Sequence, residues 1–328
     1  MVDLAKLAEV DVSTVSRALK DSPRVKESTR RHIQQLARRN GFVVNAMGSN
    51  LRRRSFRSVG LVVRLDRADG QTMADPFYLE MLSSIAEALS ERGYDFIVNL
   101  PDRDNPDIER EIVQSGRAEG LILMGSADEV DRLNALHEAG IRFVVWGAHL
   151  PGATYPVIGS DNEKGGFLAA SHLLERGSRQ LLFIGDPDLP EIAARYAGFQ
   201  RAHRDSGVSP PPHHLVRAHF GGRSVGDDVL ALARSGQSFD GICATSDVLA
   251  ERAIQALATE GTSVPDDVRV VGYDDTRQAS MVRPPLTTIS QSIADGGRLM
   301  VELLIGIADP DHQASRYTDT TLVVRDSS

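Results

Sequence analysis

Apolar positions in the first forty residues recur three and four apart, the spacing of one face of an α-helix. They predict three short helices. The first, Val2 to Ala8, turns Leu4, Leu7 and Ala8 inward; the second, Val12 to about Leu19, turns Val15, Ala18 and Leu19 inward; the third, about Glu27 to Asn40, does so with Ile33, Leu36 and Ala37. Glu9-Val10-Asp11 separates the first two, and Asp11 is placed to accept hydrogen bonds from the first free N–H groups of the second. Two short helices joined by a tight turn and closed by a third make a helix-turn-helix. On its second helix Ser13, Ser16 and Arg17 lie opposite the apolar arc, facing outward.

From Ser58 the pattern becomes an alternation of short β-rich runs with amphipathic segments. The runs are 59–64, 94–99, 120–124, 142–146, 180–185, 214–219, 240–245 and 268–273; helices are predicted near 77–92, 105–116, 128–139, 163–176, 191–206, 223–235 and 246–260. Such alternation means βαβ units and parallel sheets covered on both faces. Spacing alone leaves open one large sheet, a barrel or two doubly wound subdomains.

Composition narrows the setting. Of 328 residues 41% are apolar and 25% charged, ordinary for a globular protein. There is no long uncharged apolar run, and Met1 is not followed by a basic segment leading into one, so a cytoplasmic protein with no membrane partner is expected. The single Cys243 excludes an internal disulfide and a multi-cysteine metal site, and no metal or cofactor is expected. Charge is unevenly spread: thirteen Lys and Arg against five Asp and Glu up to Arg57 leave +8 there, and −16 on the remainder of a chain whose total is −8. A basic end on an acidic body suits a nucleic-acid-binding module joined to something else.

The second helix of a helix-turn-helix enters the major groove, where its early residues meet base edges. Val12, Ser13 and Arg17 are placed to read bases, Arg17 by a bidentate pair with guanine, while Thr14 and Ser16 suit phosphate oxygens. No G-x-G-x-x-G, P-loop, H-E-x-x-H or nucleophile elbow occurs, so no catalytic residue is assigned and a non-enzyme is expected.

The stretch AKLAEVDVSTVSRALKDSPRVKESTRRHIQQLARRNGF followed by NAMGSNL resembles the headpiece and hinge of the lactose-repressor (LacI/GalR) family of bacterial transcription regulators. The likeness continues through DPFY (75–78), SDNEKGGFLAASHLLERG (160–177), ARYAGF (194–199), TSDVLA (245–250), VVGYDD (270–275) and PPLTTISQ (284–291). It implies an all-α helix-turn-helix headpiece over 1–44, a hinge over 45–57, and an α/β effector domain of the periplasmic-binding-protein type over 58–328. That domain would hold two doubly wound parallel-sheet subdomains, about 58–160 with 290–320 and about 161–289 with 321–328, joined by crossovers near 159–162, 288–291 and 319–322.

By the same resemblance Asn45 and Leu51 belong to the DNA-contacting hinge, Leu51 as a wedge in the minor groove. Arg195 matches an arginine that contacts the effector and Asp274 an acid that accepts hydrogen bonds from it. Phe220 falls near a stacking aromatic, Ser246, Asp247 and Gln291 lie on cleft-facing motifs, and Asp75 and Phe77 open the first helix of the effector domain. The implied partners are near-palindromic operator DNA, a second copy of the chain and a small-molecule effector. Arg195, Asp274 and Phe220 suit a sugar first and a purine second; a ligand-binding protein without DNA activity is the remaining alternative.

Overall fold

The computed structural model describes residues 2–19, 22–39, 57–101, 105, 107–125, 129–306 and 316–328, in two units, Met1–Phe56 and Arg57–Ser328. The expected hinge residues Asn45 and Leu51 lie outside the described residues.

In the first unit helices α1 (Val2–Leu7), α2 (Val12–Ala18) and α3 (Glu27–Arg39) bury Leu4, Ala5, Val15, Ala18, Ile33 and Ala37 against one another. Two local expectations change. Leu7 is 56% exposed, and Ala5 is buried in its stead: the buried arc of α1 runs through Leu4, Ala8 and Ala5, and Leu7 falls outside it. Asp11 does precede α2 with an extended backbone, but its side chain caps nothing. Its carbonyl instead accepts from Thr14 and Val15 N–H, at 2.9 and 3.1 Å.

The second unit begins with strands β1 (Ser58–Val63), β2 (Asp95–Asn99), β3 (Gly120–Met124), β4 (Phe143–Trp146) and β5 (Val157–Ser160), interleaved with helices α4 (Pro76–Glu91), α5 (Ile108–Gln114) and α6 (Val130–Glu138). A second series follows: α7 (Asn162–Glu175), β6 (Leu181–Ile184), α8 (Pro190–Ser206), β7 (Leu215–Val216), α9 (Val225–Arg234), β8 (Gly241–Ala244), α10 (Asp247–Thr259), β9 (Arg269–Asp274) and β10 (Thr287–Ser290). Helix α11 (Ile293–Gly306) and strands β11 (Arg316–Thr318) and β12 (Thr321–Val323) end it. The strands form two six-stranded sheets with the same topology, β2-β1-β3-β4-β5-β11 and β7-β6-β8-β9-β10-β12. Pairing is parallel except for β12 against β10; Leu61, for instance, faces Val98 on one side and Ile122 on the other.

Each sheet is buried on both faces. Leu61 and Val63 of β1 pack on Met81, Ile85 and Met300, while Val62 between them packs with Ile112 and Phe143 on the opposite face. In the second lobe Ile184 joins Val229 and Leu249, and Phe183 joins Leu173 and Phe199. The chain passes between lobes after β5, after β10 and between β11 and β12, at 160–162, 290–293 and 318–321. The expected strand over 214–219 shrinks to the two residues of β7 at a sheet edge.

In this strand order the connections after β1 and β3, and after β6 and β8, leave for opposite faces. A crevice therefore opens at the carboxyl ends of those strands. The two lobes turn these ends toward a common cleft.

Candidate functional site

The outward face of α2 presents Val12 (41% exposed), Ser13 and Arg17, with Thr14 half-buried. The side chain of Ser16 lies outside the described residues. The Arg17 side chain makes no hydrogen bond or ion pair among the described residues, whereas α2 is anchored from behind by Val15 and Ala18 and by Gln34, whose amide donates to the Ala18 carbonyl at 3.2 Å. A rigid helix with an unengaged guanidinium and two small side chains beside it is chemically suited to a base edge.

Between the lobes lies a cavity of about 440 Å³, within the range of small-molecule sites. Seven of the eight expected effector residues line it: Asp75, Phe77, Arg195, Phe220, Ser246, Asp274 and Gln291. Asp247 does not. Its carboxylate turns away from the cavity, accepting from Thr276 N–H at 2.9 Å, the Thr276 hydroxyl at 3.0 Å and the Thr288 hydroxyl at 2.5 Å. Ser246, one residue earlier, is the N-cap of α10, its hydroxyl accepting from Leu249 N–H at 3.2 Å.

Arg195 is held by three groups. Its Nε donates to Asn162 Oδ1 at 2.8 Å, an Nη donates to the Thr245 carbonyl, and the guanidinium lies 3.5 Å from the centre of the Tyr273 ring. Tyr273 is fixed in turn by Ser160, whose hydroxyl is 3.2 Å from its own and also donates to Gln291 Oε1 at 3.0 Å. Arg195 forms no ion pair with Asp274 among the described residues; Asp274 accepts from Gln291 Nε2 at 2.5 Å. Burial, and next the neighbouring Asp247, push the Asp274 carboxyl well above the usual carboxylate range, with Arg195 acting in the other direction. Burial also raises Asp75, which caps α4 by accepting from Phe77 N–H at 2.9 Å. Asp274 has φ +123°, a conformation L-residues rarely adopt, and as the last residue of β9 it lines the cavity at the strand's carboxyl end.

Sequence reading missed a set of residues just beyond strand ends. Arg64 follows β1 and Glu129 lies beyond β3; both line the cavity. Behind them the fully buried Glu109 receives Arg64 at 2.9 Å and Arg132 at 3.0 Å, while Arg132 also reaches Glu129 at 2.5 Å. Contacts across the mouth bring the lobes together. Asp66 Oδ2 lies 3.1 Å from His219 Nδ1, whose Nε2 lies 3.3 Å from Asp186; Gly222 N–H donates to Asp69 at 2.9 Å, and Ala148 N–H to Glu191 at 3.2 Å. Position at a strand's carboxyl end was the signal that could have found Arg64, Asp66 and Trp146.

The cavity therefore offers two well-supported guanidinium groups, Arg195 and the Glu109-paired Arg64, carboxyls able to accept hydrogen bonds, and the rings of Phe77, Trp146 and Phe220. That combination of donors, acceptors and ring faces suits a hydroxylated ligand.

Residues 1–45 match the family described as bacterial regulatory proteins, lacI family, and residues 170–328 match the periplasmic binding protein-like domain. The HTH-type transcriptional repressor CytR of Escherichia coli (strain K12) is 26% identical over 333 residues, 100% of this chain and 96% of the relative. Among solved structures, the transcriptional regulator CelR–cellobiose complex is 29% identical with a TM-score of 0.72, covering 99% of this chain and 98% of that one. The lac repressor dimer bound to operator and the anti-inducer ONPF has a TM-score of 0.86 at 20% identity, covering 99% and 97%, a likeness of fold.

Proposed function

Because the chain belongs to the lacI family of bacterial regulatory proteins, with a periplasmic binding protein-like domain after its helix-turn-helix, we propose that its DNA binding is controlled by a sugar held in the cleft of the second unit. It is a DNA-binding transcriptional repressor and not an enzyme. On this reading it binds a near-palindromic operator as a homodimer, Val12, Ser13 and Arg17 reading bases, and regulates carbohydrate-related genes. The lac repressor, of the same fold and solved as a dimer bound to operator, supports the dimeric reading.

The observation that carries the proposal is Arg195, locked between Asn162, Thr245 and Tyr273 with its remaining donors toward a cavity that also contains Asp75 and Asp274. Hydroxyl groups can accept from the guanidinium while donating to the carboxyls, and the aromatic rings can cover an apolar sugar face. A ligand shifts the DNA-bound population only by its differential affinity for the two lobe arrangements, a coupling of about 1–3 kcal/mol.

The test is a titration of the intact protein with a panel of sugars and nucleobases, reading melting temperature and duplex affinity together. A sugar should shift both, and Arg195→Met should remove the shift while leaving DNA affinity without ligand unchanged. A panel in which nucleobases alone act would replace the sugar by a purine.

A further inference from the structure

A second chamber of about 400 Å³ adjoins the first at the mouth of the cleft. Gln71, Asp75 and Phe220 line both, so the two chambers share a wall in which one polar pair faces an aromatic ring. The loop between β1 and α4 closes one side of the outer chamber with Thr72 and Ala74, Pro76 at the start of α4 adds to it, and α10 forms its floor with Glu251, Arg252 and Gln255.

The chemistry of this floor is specific. Glu251 accepts from Gln278 Nε2 at 2.7 Å and from Gln255 Nε2 at 3.0 Å. The two amides are thereby oriented, and each keeps an oxygen to accept further hydrogen bonds. The side chain of Arg252, exposed on the same helix, makes no hydrogen bond or ion pair among the described residues and keeps all its donors. One carboxylate and one guanidinium leave the floor without net charge. Interleaved donors and acceptors of that kind match hydroxyl groups, which need both, better than a phosphate, a carboxylate or a hydrocarbon chain.

We propose that the cleft takes a glycoside of at least two sugar rings, one ring in the inner chamber beside Arg195 and the next passing between Asp75 and Phe220 into the outer chamber over Arg252 and Gln255. This rests on the reading of the cleft as a sugar site and adds the length of the ligand to it. Phe220 stands where the glycosidic link would cross, and Asp75 can accept from a hydroxyl on either side of it. A single ring would occupy only part of the 440 Å³ of the inner chamber and leave the amides and guanidinium of α10 without contact.

Calorimetric titration of the full-length protein with matched pairs tests this: glucose against cellobiose and maltose, galactose against lactose and melibiose, xylose against xylobiose. At least one two-ring sugar should bind tenfold or more tighter than its single ring. Arg252→Ala and Gln255→Ala should each reduce that preference, the double variant should erase it, and the single-ring affinity should stay the same. Melting temperatures of the unliganded variants establish that they fold. Equal affinity for one ring and two, or a two-ring preference untouched by the double variant, overturns the outer subsite while the cleft remains a sugar site. No binding by any sugar of the panel overturns both readings.

Discussion

The backbone of α8 at Arg195 lies against Gly166 of α7 so closely that a methyl group on Gly166 would overlap the Arg195 carbonyl. The contact is reciprocal, since a methyl group on Gly198 of α8 would overlap the carbonyl of Glu163. Two helices joined through glycines on both sides fix the depth at which Arg195 enters the cleft. The glycines of NEKGGF and ARYAGF thus position a guanidinium they never touch.

Gly166→Ala sets helix propensity against packing. Alanine favours a helix interior over glycine by about 1 kcal/mol. The overlap here is with backbone, which cannot rotate away, and overpacking of that kind costs about 1–3 kcal/mol. The variant should lower the urea midpoint, and sugar affinity should fall with it because Arg195 moves; an equally stable variant would refute the close contact.

Glu109 is fully buried between Arg64 and Arg132. Replacing it by alanine leaves the two guanidinium groups with Glu129 as their remaining acidic partner among the described residues. Removing one partner from such a buried network costs about 3–5 kcal/mol. Equilibrium unfolding of Glu109→Ala should show a loss of that size, and Glu109→Gln, which keeps the shape and one acceptor, should lose less.

Burial raises the Asp247 carboxyl to about 7, outweighing the donors on Thr288 and Thr276. An acid whose folded value lies above its unfolded value binds more protons in the native state between the two, so stability is full below about 4 and falls as pH rises toward 7. Melting temperature should therefore decline across that window, with a smaller decline in Asp247→Asn. Identical pH profiles for the two proteins would contradict this.

Arg17→Ala should relax base preference at one operator position, with discrimination falling by about 1–3 kcal/mol. Anisotropy titrations against single-base duplex variants measure it. A uniform loss across all variants, together with a shallower salt dependence, would move Arg17 from base edge to phosphate.

Several elements were unreadable from hydrophobic pattern for identifiable reasons. β10 was missed because Thr287 and Thr288 are polar in sequence, yet both are wholly buried. Their hydroxyl partners come from distant chain, Thr288 donating to Asp247 and Thr287 bonding to Ser328 and Arg325. α11 carries Gly296-Gly297, which reads as a break; in the fold Gly296 admits the Trp146 ring and Gly297 admits Ser84 of α4. Strands β11 and β12 run three residues, too short for a period to register, and β5, Val157–Ser160, has two apolar residues before Gly159-Ser160.

Local sequence determined what repeats locally: the helices of the basic end, most strands of the sheets, and the motifs that hold Arg195 and Asp274. Tertiary structure decided which side chains share a cavity, because three crossovers bring strand ends from separate parts of the chain to one cleft. It admitted Arg64, Glu129 and His219, and it turned Asp247 away from its neighbour Ser246. The direction of a side chain at a strand end depends on partners far along the chain, and no periodicity encodes them.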